Sequence, residues 1–189
     1  MIEPLRQMRD VAHRVDPTLF AQSRAGIYLL GLYPSAPDSP VNTPARRTFS
    51  TSPAMSVAEL MSMVSAAEDP AMAGRFLRQV RKSDRNPFQG HISVGRAANN
   101  DVVIVHPSVS KLHAHVLQDP AANPNEPTSL RVIDVGSRNG TWVDDRRMVV
   151  DQPTPLVLGS RLRFGDVICT LLDAPALYRT LRSLFPPPS

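Results

Sequence analysis

The chain has 189 residues, of which 42% are hydrophobic, enough length and apolar content to build at least one packed domain. A single cysteine, Cys169, excludes an intramolecular disulfide and a cysteine-based zinc site. The longest apolar run, residues 26–33, is far shorter than the roughly 20 residues that span a bilayer. Charged side chains throughout the first sixteen residues argue against a signal peptide. We therefore expect a cytoplasmic protein without membrane contact.

The charge balance suggests nucleic-acid binding at first sight, because the formal net charge is +4 and the pI is about 9.8. The positive excess lies in the flanks: residues 1–85 carry +3 and residues 174–189 carry +2, whereas residues 86–173 carry −1. No block of five or six like charges occurs. Nucleic-acid binding through the basic flanks is therefore a remote alternative.

The first third of the chain changes character twice. Apolar residues at three- and four-residue steps predict a helix over residues 1–24, whereas the continuous apolar stretch 26–33 fits a strand or a helix end equally well. Of the twenty residues 34–53, twelve are Pro, Ser or Thr, which is typical of a flexible or polyproline-like linker. We expect a mostly helical or disordered N-terminal segment over 1–33, a linker over 34–55 and a short helical lead-in over 56–74.

From residue 87 onward, short apolar runs alternate with turn-forming residues about every ten positions. This spacing predicts an all-β sandwich. Residues 75–82 are ambiguous between helix and strand. Residues 174–189 are expected to form a short helix and a proline tail, with Leu177, Leu181 and Leu184 on one face that packs against the domain itself.

Three polar signals interrupt the apolar runs of this β region. They are Gly95-Arg96 with Asn99-Asn100-Asp101, then Ser110-Lys111-Leu112-His113-Ala114, then Ser137-Arg138-Asn139-Gly140-Thr141. Counting strand directions brings the second and third signals to one end of the sandwich. The first is permitted there but not placed, since a strand over 102–105 would lead away from its loop. Together the signals supply cations and hydrogen-bond donors with one nearby carboxylate, Asp101, a combination that favours an anion such as phosphate.

The order and spacing of these motifs resemble the forkhead-associated (FHA) domain. The resemblance rests on Gly-Arg, Ser-x-x-His-Ala, Ser-x-Asn-Gly-Thr-x-Val and Leu-x-Phe-Gly-Asp, which run from Gly95 to Asp166. It implies a domain over residues 75–173 with a mainly β fold, an eleven-stranded antiparallel sandwich that recognises phosphothreonine peptides. It also implies a protein that is not an enzyme and needs no cofactor or metal.

The resemblance assigns roles residue by residue. Arg96 and Ser110 would contact the phosphate, Lys111 would add a phosphate or peptide contact, and Arg138 and Asn139 would hold the phosphothreonine and its backbone. The residues expected to support the site structurally are Gly95, His113, Gly140 and Thr141. The chain departs from the family pattern at Asp144-Asp145, which replaces the usual Asn-Gly hairpin and affects the turn type.

The expected function is phosphothreonine-dependent protein binding, the partner being a threonine-phosphorylated protein or peptide in a Ser/Thr-kinase pathway. A regulatory alternative is that phosphorylated Thr48 or Thr51, which follow Arg46 and Arg47, binds the chain's own domain. The pair His113 and His115 suggests a metal site only if a third ligand converges, and none is indicated. A hydrolase built on Ser110 and His113 is not expected, because no nucleophile elbow is present.

Overall fold

The computed structural model describes residues 5–34, 72–84, 86, 90–119 and 129–186. One compact unit comprises residues 1–34 and 75–189, and a second unit comprises residues 35–74, most of which lie outside the described residues. Thr48, Thr51 and the helix predicted to start at Ser56 also lie outside them. Within the described residues, every helix is too short or too polar to cross a membrane.

The first unit contains eleven strands among the described residues, as expected. They are β1 Ile27–Leu32, β2 Arg75–Gln79, β3 His91–Gly95, β4 Val102–Val103, β5 Ala114–Asp119, β6 Ser129–Asp134, β7 Thr141–Val143, β8 Arg146–Arg147, β9 Thr154–Leu156, β10 Arg161–Phe164 and β11 Val167–Asp173. One sheet has the order β2-β1-β11-β10-β7-β8 and the other has the order β4-β3-β5-β6-β9. Adjacent strands are antiparallel except β3 and β4, which run parallel.

The core lies between the two sheets, where alternate side chains of both meet. Leu29, Val94, Val132 and Phe164 are fully buried there. Because strand residues alternate between faces, each of these strands also presents a second set of side chains to the outside. The mainly β sandwich expected from the spacing of apolar runs is thus confirmed.

Among the described residues, three helices accompany the sandwich: α1 Leu5–Arg14, α2 Pro17–Ser23 and α3 Ala174–Leu184. The helical N-terminal segment expected from the sequence is observed as two helices, since α1 ends at Arg14 and α2 begins at Pro17. The Asp16 carboxylate caps α2 by accepting hydrogen bonds from the backbone N–H groups of Thr18 and Leu19, at 2.9 and 3.0 Å. Pro17 occupies the first turn, where its missing N–H costs nothing, and it disfavours a helical conformation at Asp16.

Helix α3 packs on α1, α2, β1 and β11, as predicted for a helix that covers its own domain. Its residues Leu177 and Leu181 are fully buried. The imidazole Nε2 of His13 in α1 lies 2.6 Å from the carbonyl of Phe185, the residue that ends α3. Helices α1, α2 and α3 therefore pack together over part of the outer face of the six-stranded sheet.

The apolar stretch 26–33, which fits a strand or a helix end equally well in the sequence, forms strand β1. It lies between β2 and β11 and pairs with both along its length. Leu29 points into the sandwich core, whereas Tyr28 and Leu30 are buried on the side where α3 packs. The sandwich therefore includes a strand from the expected N-terminal segment, and a domain beginning at residue 75 would lack it.

The β7–β8 turn keeps a hairpin conformation although it lacks Asn-Gly. Asp144 and Asp145 have φ angles of 47° and 66°. Type I′ hairpin turns require positive φ at both central residues, which is why Asn and Gly are preferred there. The departure from the family pattern thus changes the side chains and retains the positive backbone angles.

Candidate functional site

Three loops meet at one end of the sandwich and carry the five residues predicted to contact the phosphothreonine peptide. The β3–β4 loop begins with Arg96, the β4–β5 loop holds Ser110 and Lys111, and the β6–β7 loop holds Arg138 and Asn139. The parallel pairing of β3 and β4 explains why the first loop joins the others: β4 runs in the same direction as β3 and delivers the next loop to the same end. Strand counting missed this because it treated successive strands as antiparallel.

Arg96 is fixed by its backbone and by one side-chain nitrogen. Its N–H donates to the Ser110 carbonyl at 2.9 Å, and its Nε donates to the Val109 carbonyl at 3.1 Å. The side chain is exposed, and its two terminal nitrogens have no hydrogen-bond partner among the described residues. Gly95 permits this approach of the loops, since a Cβ there would stand 2.3 Å from the Lys111 carbonyl oxygen.

Ser110 lies at the centre of the three loops. Its backbone N–H donates to Nδ1 of His113 at 3.0 Å, and its Oγ accepts a hydrogen bond from the Arg138 N–H at 3.0 Å. Since Oγ acts as an acceptor in that bond, the hydroxyl proton remains available to a ligand. The Ser110 side chain thus links two loops and keeps a donor of its own.

Asn139 is anchored in a similar way. Its Nδ2 donates to the Ser108 carbonyl at 2.7 Å, and its Oδ1 is an acceptor without a partner among the described residues. The side chains of Lys111 and Arg138 are exposed. The N–H of Arg138 is already used by Ser110, so a hydrogen bond that Arg138 donates to a ligand must come from its guanidinium.

His113 joins the second loop to the third. It is fully buried, and because Nδ1 accepts from Ser110, its proton lies on Nε2, which donates to the Gly140 carbonyl at 3.1 Å. Burial lowers the pKa of His113, although the hydrogen bond to Gly140 and the charge of Asp134 oppose the shift. His115 instead stacks on His91 with ring centroids 5.2 Å apart. His113 and His115 therefore do not share a site.

The β6–β7 loop is shaped by a buried carboxylate. Asp134 accepts hydrogen bonds from the N–H and the hydroxyl of Ser137, each at 2.7 Å, and the Ser137 Oγ in turn accepts from the Gly140 N–H. Burial alone would raise the pKa of Asp134, but these hydrogen bonds outweigh it and lower the pKa. Thr141, fully buried, starts β7 opposite Phe164.

Asp101, the one carboxylate among the polar signals of the sequence, forms its side-chain hydrogen bonds outside the three loops. Its side chain is 0% exposed, and its carboxylate is held by the donors of neighbouring residues, namely Lys82, Ser83, Asn86 and Ser93. Burial raises the pKa of Asp101, but the hydrogen bonds from Ser93, Asn86 and Ser83 lower it well below its ordinary value. Asp101 is therefore saturated and does not neutralise Arg96.

Two residues that the sequence analysis did not single out hold the loops together. The Asn100 Nδ2 donates to the carbonyls of Ala97 and Lys111, at 2.8 and 2.7 Å, from a buried position. Besides the carbonyl that binds Asn139, Ser108 provides an Oγ that accepts from the Asp166 N–H at 2.9 Å. Asn100 lies within the signal Asn99-Asn100-Asp101, which points to its role, whereas nothing in the sequence around Ser108 indicates its role.

A family model described as the FHA domain matches residues 92–165, the segment that carries all three loops and their motifs. The chain contains an FHA domain. FHA domains are phosphothreonine-binding modules, and the eleven-stranded sandwich expected from the resemblance is the fold observed.

One curated relative is the "Protein phosphatase 1 regulatory inhibitor subunit PPP1R8 homolog" of Arabidopsis thaliana, 42% identical over 65 residues. Those residues are 34% of this chain and 16% of the relative, so the chain spans only a small part of that protein. Similar solved structures include the MEK1 FHA domain bound to a HOP1 phosphothreonine peptide, 19% identical with a TM-score of 0.40, covering 45% of this chain and 81% of that one. Another is the FHA domain of CT664 from Chlamydia trachomatis, 22% identical with a TM-score of 0.39, covering 51% and 84%.

Proposed function

We propose that the FHA domain binds a threonine-phosphorylated protein segment at the three loops, within a cytoplasmic Ser/Thr-kinase signalling pathway. The observation that supports this most is how Arg96, Ser110 and Asn139 are used. The side chain of each is fixed by one hydrogen bond, and each keeps a further donor or acceptor without a partner among the described residues. Such pre-positioned groups lose little freedom when a ligand arrives.

The free atoms suit the parts of a phosphothreonine peptide. The terminal nitrogens of Arg96 and the hydroxyl of Ser110 donate to phosphate oxygens, and charge-assisted bonds of this kind are about twice as strong as neutral ones. Lys111 and Arg138 add positive charge beside the phosphate. The Oδ1 of Asn139 accepts a hydrogen bond from a peptide N–H. The site is thus local and built for one phosphate, which favours a phosphopeptide over a nucleic-acid backbone.

The test is a titration of the full-length protein with a degenerate peptide library that carries a fixed phosphothreonine. We expect Arg96→Ala to remove one or two charge-assisted bonds, each worth roughly 1.5–3 kcal/mol. That loss corresponds to an affinity about tenfold to more than a hundredfold weaker. The unphosphorylated library should not bind measurably to the wild-type protein.

The matched control is Arg179→Ala, which removes an exposed arginine from α3 and should leave affinity unchanged. Equal binding of phosphorylated and unphosphorylated libraries would contradict the proposed function. Unchanged affinity in Arg96→Ala would contradict the assignment of the phosphate site.

The regulatory alternative stays a prediction, since Thr48 and Thr51 lie outside the described residues. If either threonine, once phosphorylated, bound the chain's own FHA domain, phosphorylation of the full-length chain would weaken binding of an external phosphopeptide. Undiminished binding after complete phosphorylation would exclude the switch.

A further inference from the structure

A cationic–aromatic cluster lies on the outer face of the six-stranded sheet. We call it the Arg-Trp-Arg cluster; it consists of Arg147, Trp142 and Arg163, which are direct cross-strand neighbours on β8, β7 and β10. The guanidinium carbon of Arg163 lies 3.3 Å from the centroid of the Trp142 ring, and that of Arg147 lies 5.5 Å away. Stacking on an aromatic ring fixes a guanidinium while its N–H edge stays open to a ligand.

This cluster adjoins the loops of the phosphate site. The Nε and one terminal nitrogen of Arg147 lie 3.0 and 3.2 Å from the point where a Cβ on Gly140 would stand, and Gly140 follows Asn139. A terminal nitrogen of Arg163 donates to the Gly165 carbonyl at 3.4 Å, and the next residue, Asp166, donates its N–H to Ser108. Arg147 thus lies beside the β6–β7 loop, and Arg163 is connected through the β10–β11 turn to Ser108 of the β4–β5 loop.

Neither arginine of the cluster is neutralised by an acidic side chain within the described part of the chain. Asp145, in the adjacent turn, forms an ion pair with Arg161. Asp144 accepts hydrogen bonds from the Arg161 N–H and the Ser160 hydroxyl. Two neighbouring guanidinium groups without a counter-ion repel each other, and an anion placed between them relieves that repulsion.

We propose that the Arg-Trp-Arg cluster is a second anion-binding subsite, which reads an acidic side chain of the same phosphothreonine segment. The ligand chemistry is a carboxylate or a second phosphate, since the guanidinium fork binds both in the same two-pronged geometry. This inference rests on the proposed function: the phosphothreonine anchors the segment, and the cluster selects among phosphorylated segments by their neighbouring charge.

The experiment is a set of phosphothreonine libraries that carry Asp or Asn at one neighbouring position at a time, with phosphoserine at the same position as a further arm. We expect the wild-type protein to favour Asp over Asn by about twofold to tenfold at one or two adjacent positions, the range of partly exposed ion pairs. A larger gain for phosphoserine than for Asp would identify a second phosphate as the preferred ligand, a smaller gain would identify a carboxylate, and an equal gain would show that the subsite binds either group. Arg147→Gln and Arg163→Gln should remove the preference while phosphothreonine binding persists.

The control is Arg146→Gln, which removes the same charge from the adjacent residue of β8, on the opposite side of the strand. It should retain the preference for Asp. Because Trp142 is the only tryptophan of the chain, its fluorescence gives a second readout: Asp-containing ligands should change the emission more than their Asn counterparts. Arg163→Lys keeps the positive charge and serves as a second variant at this position if Arg163→Gln does not fold.

The outcomes separate this inference from the proposed function. If the wild-type protein binds phosphothreonine libraries but shows no acidic preference, or if the preference survives both glutamine variants, the second subsite is wrong and the function stands. If the wild-type protein binds no phosphothreonine library, the proposed function and the subsite both fall.

Discussion

Two polar clusters flank the same six-residue loop between β3 and β4, and they differ in how completely they are satisfied. At the end of the loop, Asp101 is buried and accepts hydrogen bonds from three neighbouring residues, with Lys82 beside it. At the start of the loop, Arg96 is exposed and held by a single side-chain bond. We call the Asp101 cluster closed, because its carboxylate finds its hydrogen-bond partners within the protein. We call the Arg96 cluster open, because its terminal nitrogens have no partner among the described residues.

The difference separates scaffold from site. Donors and acceptors of the closed cluster find their partners within the protein, so its contribution is to the free energy of unfolding. The open cluster is fixed through backbone and inner atoms and has outer atoms without partners among the described residues, so under the proposed function its contribution is to affinity. Substitutions should therefore shift from a stability effect to a binding effect along the series Asp101, His113, Ser110 and Arg96.

Asp101→Asn should have the largest effect on the fold. The amide keeps one acceptor but turns an NH₂ group toward hydrogen-bond donors and loses the charge, and we expect a loss of about 2–4 kcal/mol in the free energy of unfolding. Urea denaturation of the full-length protein at pH 7, followed by circular dichroism, measures it. A loss below about 1 kcal/mol would contradict the closed character of the cluster.

The difference in the free energy of unfolding between the wild-type protein and Asp101→Asn should also depend on pH. The folded pKa of Asp101 lies below the value of about 3.9 in the unfolded chain. The unfolded state therefore binds the proton more readily, and the stabilisation present above pH 4 is lost as the pH falls below it. The gap between wild type and Asp101→Asn should narrow toward pH 3.

His113→Gln should have an intermediate effect, about 1–3 kcal/mol at pH 7, because two buried hydrogen bonds between loops are disturbed. Since the folded pKa of His113 is lowered, the unfolded state binds more protons below about pH 6.5, and wild-type stability decreases as the pH falls through that range. Denaturation at pH 7.5 and at pH 5 should show a smaller decrease in the variant. An identical decrease would show that His113 does not titrate with folding.

Ser110→Ala should have the smallest effect on the fold among these three. It removes the acceptor of the Arg138 N–H, a partly exposed bond worth about 0.5–1.5 kcal/mol. Phosphopeptide affinity should nonetheless fall about tenfold, because the hydroxyl donor is lost. Ser110→Thr retains the hydroxyl and should restore both quantities; if the threonine variant binds as weakly as the alanine variant, the hydroxyl is not the group that matters.

The sequence was sufficient to predict those strands that have one face in the core. Strands β3, β5, β6 and β11 follow from alternating or short apolar runs between turn residues. It could not decide β1, because helices cover its outer side and the core its inner side, and a strand buried on both faces has no alternation. Strand β8 consists of two exposed arginines and carries no apolar signal at all.

For the site, the sequence indicated which residues are polar and unusual, and the fold determined how they are used. The motif order indicated five candidate binding residues, whose role stays a prediction, but Arg96 could not be placed near the others until the parallel β3–β4 pairing was known. The split between a saturated Asp101 and an open Arg96 depends on Ser83 and Asn86, fifteen or more positions away along the chain. Hydrogen bonds across such separations have no signature in a local pattern.

The Arg96→Ala variant tests the central claim most directly when its binding and its stability are measured on the same sample. We predict a free energy of unfolding within about 1 kcal/mol of wild type, together with phosphothreonine-peptide affinity at least tenfold weaker. A variant that binds the phosphopeptide as tightly as wild type, or that loses affinity only because it unfolds, would contradict the division between a closed scaffold and an open phosphate site.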